Sequence, residues 1–263
     1  MKADYANWMP KGMIVGFGAA SAGLAGAAVL AWKLVPKKEL LTRCGVTAAL
    51  AAASAGCGAF ALWGIYAHGQ FSYEGKRKLS KEIIEGTAAY INLPEGGKCL
   101  DVGTGSGALG IQVALRNPQG SVVGIDPWGP EYSDFSKQRC EQNAKAEGAE
   151  NITFQKGNAV HLDFADESFD AVTSNYVYHN CAGHNKQALL KETLRVLKKG
   201  GTFAIHDIMS KARYGDMEKF VQELKNEGYE EVRLIPTDEG MFMTSAEAKK
   251  MMLSGSALLV GKK

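Results

Sequence analysis

The chain has 263 residues, 46% hydrophobic and 22% charged, and its 30 basic and 28 acidic side chains leave a formal charge of +2. That hydrophobic share excludes a disordered chain, 31 glycines without a period of three exclude a collagen-like one, and 5 cysteines are too few for a disulfide scaffold. A charge so close to neutral leaves no electrostatic footprint for nucleic acid, and no nucleic-acid partner is expected.

The first elements in chain order are two segments without a single charge, residues 12–32 (GMIVGFGAASAGLAGAAVLAW) and 44–67 (CGVTAALAAASAGCGAFALWGIYA). At about 1.5 Å per helical residue each spans a hydrocarbon core of about 30 Å. With the linker KLVPKKELLTR they read as a transmembrane hairpin within an anchor domain, residues 1–68, and the alternative is a buried helical pair of a soluble protein. Tyr5, Trp8 and Trp32 flank one segment and Trp63 and Tyr66 close the other, where amphipathic rings favour the membrane interface. Small residues recur every fourth position, at Ala19, Gly23 and Ala27 and at Ala49, Ala53, Cys57 and Ala61. Such faces let helices approach closely, within the hairpin or with a second copy, so a homo-oligomer is one expected partner.

The count of basic residues leans, by six against four, toward one orientation. Lys2, Lys11, Lys76, Arg77, Lys78 and Lys81 flank the hairpin, against Lys33, Lys37, Lys38 and Arg43 in and around the linker. The positive-inside rule therefore places both ends, and the remainder of the chain, in the cytoplasm. The cluster just after the second segment also suits anionic lipid headgroups.

Residues 69–263 alternate short apolar runs with amphipathic ones, the pattern of β/α units around a mostly parallel sheet. Strands are expected at 98–102, 121–125, 152–155, 169–174, 202–206, 231–235 and 256–261, the last two as a hairpin. Helices are expected at 76–91, 108–116, 133–147, 184–197 and 215–226. The fold class is α/β, a Rossmann-like, seven-stranded, doubly wound sheet behind the two-helix hairpin. The cysteines contain no C-x-x-C pair, so no zinc site follows from their spacing.

The most telling stretch is KCLDVGTGSGALGIQVA, residues 98–114. A buried strand ends at Asp101 and Val102, and Gly103, Thr104, Gly105 and Gly107 turn the chain into a helix whose free N–H groups face a ligand. A Cβ at Gly103, Gly105 or Gly107 would block both the bend and the approach of a ligand. With Ala108 the loop also fits a loose dinucleotide pattern, which keeps NAD binding open. A second acidic residue, Asp126 in GIDPW, closes the next expected strand, and a carboxylate there accepts two ribose hydroxyls.

Together with the run KGNAVHLDFADESFDAVTSNYVYHN at 156–180 and LLKETLRVLKKGGTFAIHD up to residue 207, these motifs resemble the class I S-adenosylmethionine-dependent methyltransferases, in particular the small-molecule, type 11-like branch. The resemblance begins near Tyr73 and runs to the C terminus. It implies that Asp101, Gly103, Thr104, Gly105 and Gly107 form the cofactor loop. It further implies that Asp126 and Pro127 take the ribose, that Trp128 lies against the adenine, and that Asn158, Ala159, Asn175 and a lid residue, Tyr73, complete the S-adenosyl-L-methionine site. A cofactor made in the cytoplasm points to the same orientation as the count of basic residues. Many relatives carry Asp where this chain has Asn158, whose carbonyl oxygen still accepts a hydrogen bond from the adenine amine.

Chemistry is expected beyond the fourth strand, in SNYVYHNCAGH, because ligands of open α/β sheets lie outside the carboxyl ends of the strands. His179, followed by His184, is the candidate base, with Tyr176, Tyr178 and Asn180 positioning the substrate. Cys181 is a minor candidate nucleophile. The expected activity is methyl transfer to a small, hydrophobic or amphiphilic acceptor at a membrane. An NAD-dependent oxidoreductase and a catalytically silent membrane scaffold are the rivals.

Overall fold

The computed structural model describes residues 2–129 and 135–263. They form two compact units, one spanning Asn7–Lys78 and the other Leu79–Lys263 together with the N-terminal residues up to Ala6.

The first unit is a helical hairpin, α1 (Lys11–Leu34) and α2 (Leu40–Phe71), of 24 and 32 residues. Both helices outrun the uncharged segments by a turn or so, since nothing in Lys33 or in LLTR opposes a helix; Pro36 lies in the turn between them. Among the described residues these two helices are long and apolar enough to cross a membrane. Val15, Leu30, Leu41, Leu62 and Ile65 point outward. The inner seam carries a reciprocal polar clasp, in which the Ser21 and Ser54 hydroxyls each donate to the other residue's carbonyl at 2.8 Å. Gly64 meets Ile14, and Phe17 stacks on Phe60 with ring centroids 4.3 Å apart. The contact stripe of α1 thus runs through Ile14, Phe17 and Ser21, while Ala19 and Gly23 of the expected small-residue face are exposed, as are Ala49 and Ala53 on α2.

The second unit is a seven-stranded sheet in the order β3-β2-β1-β4-β5-β7-β6. Its strands are β1 (Lys98–Val102), β2 (Ser121–Asp126), β3 (Ile152–Lys156), β4 (Phe169–Asn175), β5 (Leu197–Ile208), β6 (Glu230–Pro236) and β7 (Ser256–Lys262). The first five are parallel, and β7 is antiparallel to both β5 and β6, so the last two strands pair as expected, with β7 inserted beside β5. The helices are α3 (Leu79–Ala88), α4 (Ala108–Arg116), α5 (Lys137–Glu147), α6 (Lys186–Arg195), α7 (Lys211–Tyr214), α8 (Met217–Asn226) and α9 (Ser245–Lys250). Leu100, Val102, Val172, Leu190, Phe203, Ile205 and Phe220 are among the side chains that fill the core.

Local chemistry sets the helix starts. The Asn185 side chain accepts from Ala188 N and the Asp216 side chain from Lys219 N, so α6 and α8 begin just after these caps and two residues later than the pattern predicts. Lys78, at φ 52°, similarly delays α3 to Leu79. The expected helix start at Ser133 lies outside the described residues. The short α9, absent from the expectation, opens with a capping box between Thr244 and Glu247.

Candidate functional site

The strand order reverses between β1 and β4, and the loops leaving their carboxyl ends meet there. The main-chain N–H groups of Gly103 and Thr104 both donate to Ile125 O, at 2.8 and 2.9 Å, hooking the glycine loop over the end of β2. Beneath the loop Asp101, 1% exposed, accepts from the Thr104 hydroxyl at 2.6 Å, the Thr173 hydroxyl at 2.9 Å and Gly110 N at 3.0 Å. This carboxyl binds the loop, the first turn of α4 and β4 to one another, and burial pushes it up to about 6 against the pull of its three donors. Gly103 stands at φ 70°, and a Cβ there would lie 2.3 Å from Val177 Cγ2. Only glycine lets the loop rest on the turn that follows β4.

Asp126 ends β2 and is half-buried. Its Oδ2 accepts from Gly105 N at 3.0 Å and its Oδ1 from Trp128 N at 2.8 Å. Trp128 holds φ 43° and its indole N–H donates to Gly105 O at 3.0 Å, which sets carboxylate and indole side by side against the glycine loop, with Pro127 exposed between them. Gly157 N donates to Asp126 O at 3.2 Å and so draws in the turn that carries Asn158 and Ala159. Asn158 is exposed, its side-chain oxygen accepting from Val160 N, and Ala159 is buried. Behind the loop, the Asn143 amide of α5 donates to Ser106 O at 2.9 Å.

On the other side of the cleft, Asn175 ends β4 and its side-chain oxygen meets His206 Nδ1 of β5 at 2.8 Å. His206 is fully buried, its Nε2 meets the Thr237 hydroxyl at 2.8 Å, and burial lowers its imidazole to about 4. A 3-10 turn, Tyr178–Asn180, follows. Tyr178 is fully buried with its hydroxyl 2.6 Å from Thr193 Oγ1, so it supports the turn from inside the core. The half-exposed His179 donates through Nδ1 to Asp207 Oδ1 at 2.5 Å. The side chain of Asp207 is fully buried and also accepts from Ile208 N at 2.6 Å, the Tyr214 hydroxyl at 2.8 Å and His179 N at 3.1 Å.

The remaining candidates sit elsewhere. Asn180 and His184 are exposed, and the His184 carbonyl accepts from Lys186 Nζ at 3.1 Å. Cys181 is half-buried, and burial raises its thiol above the ordinary range although Lys186 pulls the other way, which favours the unreactive protonated form. Tyr73 belongs to the first unit, just past the end of α2. Sequence reasoning assigned no role to His206, Asp207, Tyr214 or Thr237, although His206 ends the fifth expected strand and Asp207 follows it, where the strand-end rule points.

This geometry has relatives. An arsenite methyltransferase of Halobacterium salinarum is 33% identical over 170 residues, which cover 57% of this chain and 42% of that protein. A demethylmenaquinone methyltransferase of Deinococcus radiodurans is 36% identical over 110 residues, 41% of this chain and 42% of its own length. The chain thus spans less than half the length of these curated relatives. Among solved structures, the cyclase SpnF superposes with a TM-score of 0.55 at 17% identity, covering 72% of this chain and 84% of its own, a likeness of fold. The profile described as "Methyltransferase domain" matches residues 93–252, more than half of the chain and every loop that builds the cleft, and by that match the chain belongs to the methyltransferase-domain family.

Proposed function

We propose that the chain is an S-adenosylmethionine-dependent methyltransferase, held at the membrane by its hairpin with the catalytic unit in the cytoplasm, and that it methylates a small hydrophobic or amphiphilic acceptor. One observation carries this reading: the glycine loop, the Asp126 carboxylate and the Trp128 indole share one mouth at the ends of β1 and β2. These residues fit an adenosyl group. Main-chain donors orient Asp126 at the end of β2, and a carboxylate in that place is the kind of group that accepts ribose hydroxyls. The indole offers an aromatic face, and Asn158 stands on the neighbouring turn.

When bound, the cofactor supplies a methyl group already activated on a sulfonium. The protein's part is then to align the acceptor and, where the acceptor is protonated, to take its proton. Asp101 acts through the loop it holds. His179 stands on the turn that abuts Gly103 through Val177, and is the base in this reading.

The membrane reading rests on two long apolar helices with outward-facing apolar side chains and on the basic residues that flank them. Curated relatives named for arsenite and for demethylmenaquinone support a small acceptor, and the quinone name favours a hydrophobic one.

Calorimetric titration of the full-length protein in detergent with S-adenosylmethionine and with NAD tests the cofactor. Binding of the former is expected, weakened by about 1.5–3 kcal/mol in Asp126→Ala through loss of a charge-assisted hydrogen bond. Binding of NAD alone would replace the reading with an oxidoreductase, and no binding, or binding indifferent to Asp126→Ala, would replace it with a silent scaffold.

A further inference from the structure

Two histidines lie at the carboxyl ends of β4 and β5, and they differ in what they can offer. His206 is engaged at both ring nitrogens and fully buried, so it has no atom left for a ligand. His179 is engaged only at Nδ1, its side chain is 16% exposed, and its Nε2 has no hydrogen-bond partner among the described residues. The partner of Nδ1 is a fully buried carboxylate, and burying a charged carboxylate is costly unless hydrogen bonds and an opposite charge offset the lost hydration, which its four donors supply. Orienting a base through its second nitrogen serves exactly such a group.

From this geometry we propose that Asp207 and His179 form a proton-accepting pair, Asp207 positioning and His179 catalytic, and that the acceptor is a weakly acidic hydroxyl of the phenol, enol or hydroquinone kind. The proposal rests on the methyltransferase reading and names its acceptor. A neutral amine attacks without a base, and a metalloid acceptor calls for several thiolates, whereas Cys99 and Cys140 are buried with burial raising both thiols and Cys181 is raised as well. A hydroxyl with a pKa near 10 must lose its proton as it reacts. In the balanced step the acceptor's electron pair forms the bond to the methyl carbon, the carbon–sulfur bond breaks, and its pair returns to sulfur to leave a neutral thioether. For a hydroquinone the pair can come from oxygen or from the adjacent ring carbon, which then loses its own proton to restore the ring. The hydroxyl proton passes to His179 Nε2, the imidazolium is balanced by Asp207, and the exposed edge of the ring hands the proton to water.

The groups that face this pair each keep one protonation state near neutral pH. Asp207 lies below the ordinary carboxylate range, because the bonds from His179, Tyr214 and Ile208 and the charge of His179 outweigh the burial that would raise it. Facing it, Tyr178 and Tyr214 are pushed up by burial, as is Tyr176, whose ring stands 6.0 Å from that of His179. Cys181 stays protonated and His206, lowered to about 4, stays neutral.

The test uses the full-length protein in nanodiscs with methyl-labelled S-adenosylmethionine and a whole-cell extract, the labelled product being identified by mass spectrometry. Label on a hydroxyl oxygen, or on the ring carbon beside one, is expected; label on nitrogen, sulfur or arsenic overturns the acceptor class. Cofactor binding with no transfer to any component of the extract overturns the methyltransferase reading instead. On the labelled product's acceptor, His179→Gln and Asp207→Asn are each expected to lower kcat about 10²–10⁴-fold and to abolish the rise of kcat with pH, with the Kd for S-adenosylmethionine within twofold. Proton NMR titration of the His179 ring is expected to move to lower pH in Asp207→Asn. An unmoved titration or unchanged kcat overturns the pair, and should Asp207→Asn fail to fold, His179→Gln alone decides.

Discussion

Gly103 and Gly148 both hold left-handed backbone, at φ 70° and 74°, yet their surroundings differ completely. A Cβ at Gly103 would strike Val177, whereas nothing lies within 4 Å of one at Gly148, the C-cap of α5. Gly148→Ala should therefore cost only the backbone term, about 1–2 kcal/mol of stability, and leave cofactor binding intact. Gly103→Ala adds a collision that pries the loop away from the β4 turn, and cofactor binding should fall below detection by calorimetry. Equal loss of binding in both variants would show that the loop's position against Val177 is immaterial. The same contrast between engaged and available atoms separates His206 from His179 one strand away.

At the level of helices and strands, the hairpin is held by complementary shape and by one polar clasp. Ser21 and Ser54 satisfy each other's carbonyls from the middle of apolar helices, where water offers no substitute. Interhelical hydrogen bonds of this kind contribute about 0.6 kcal/mol on average and up to about 1.7. A double-mutant cycle on Ser21→Ala and Ser54→Ala, read from unfolding in detergent, should give a coupling in that range, and a coupling of zero would leave the seam to Ile14, Phe17, Phe60 and Gly64 alone. In the sheet, β5 plays the corresponding part, because it supplies Asp207 to the β4 turn and His206 to Asn175 across a single register.

For the molecule as a whole, one unit carries outward apolar side chains and the other an enclosed core. Exposed leucines and isoleucine along two helices are costly in water, and under the proposed membrane placement a bilayer would cover them. The full-length protein should stay with the membrane fraction after an alkaline carbonate wash and leave it only in detergent. Release by carbonate would recast the hairpin as a docking element for another protein. A hydrophobic hydroxyl acceptor agrees with the proposed membrane placement, since a bilayer that held the hairpin would also concentrate such molecules.

Much of this was legible in the linear chain, because its signals are local. Charge-free runs marked both helices, period-two and helical apolar patterns found all seven strands, although β5 begins at Leu197, five residues ahead of the expected 202, and the D-x-G-x-G-x-G run with Asp126 marked the loops at the ends of β1 and β2. Caps written in single residues, Asn185 and Asp216, went unread and shifted helix starts by two positions. What escaped sequence reasoning was long-range. Tyr178 and His179 are neighbours, but only packing sends one hydroxyl to Thr193 in the core and leaves the other ring partly exposed. His179 meets Asp207 28 positions away and Asn175 meets His206 31 positions away, through the β4–β5 register that sets Asn175 opposite His206. A slip of one residue between β4 and β5 would part Asn175 from His206, so that pairing belongs to the folded sheet and not to any stretch of sequence.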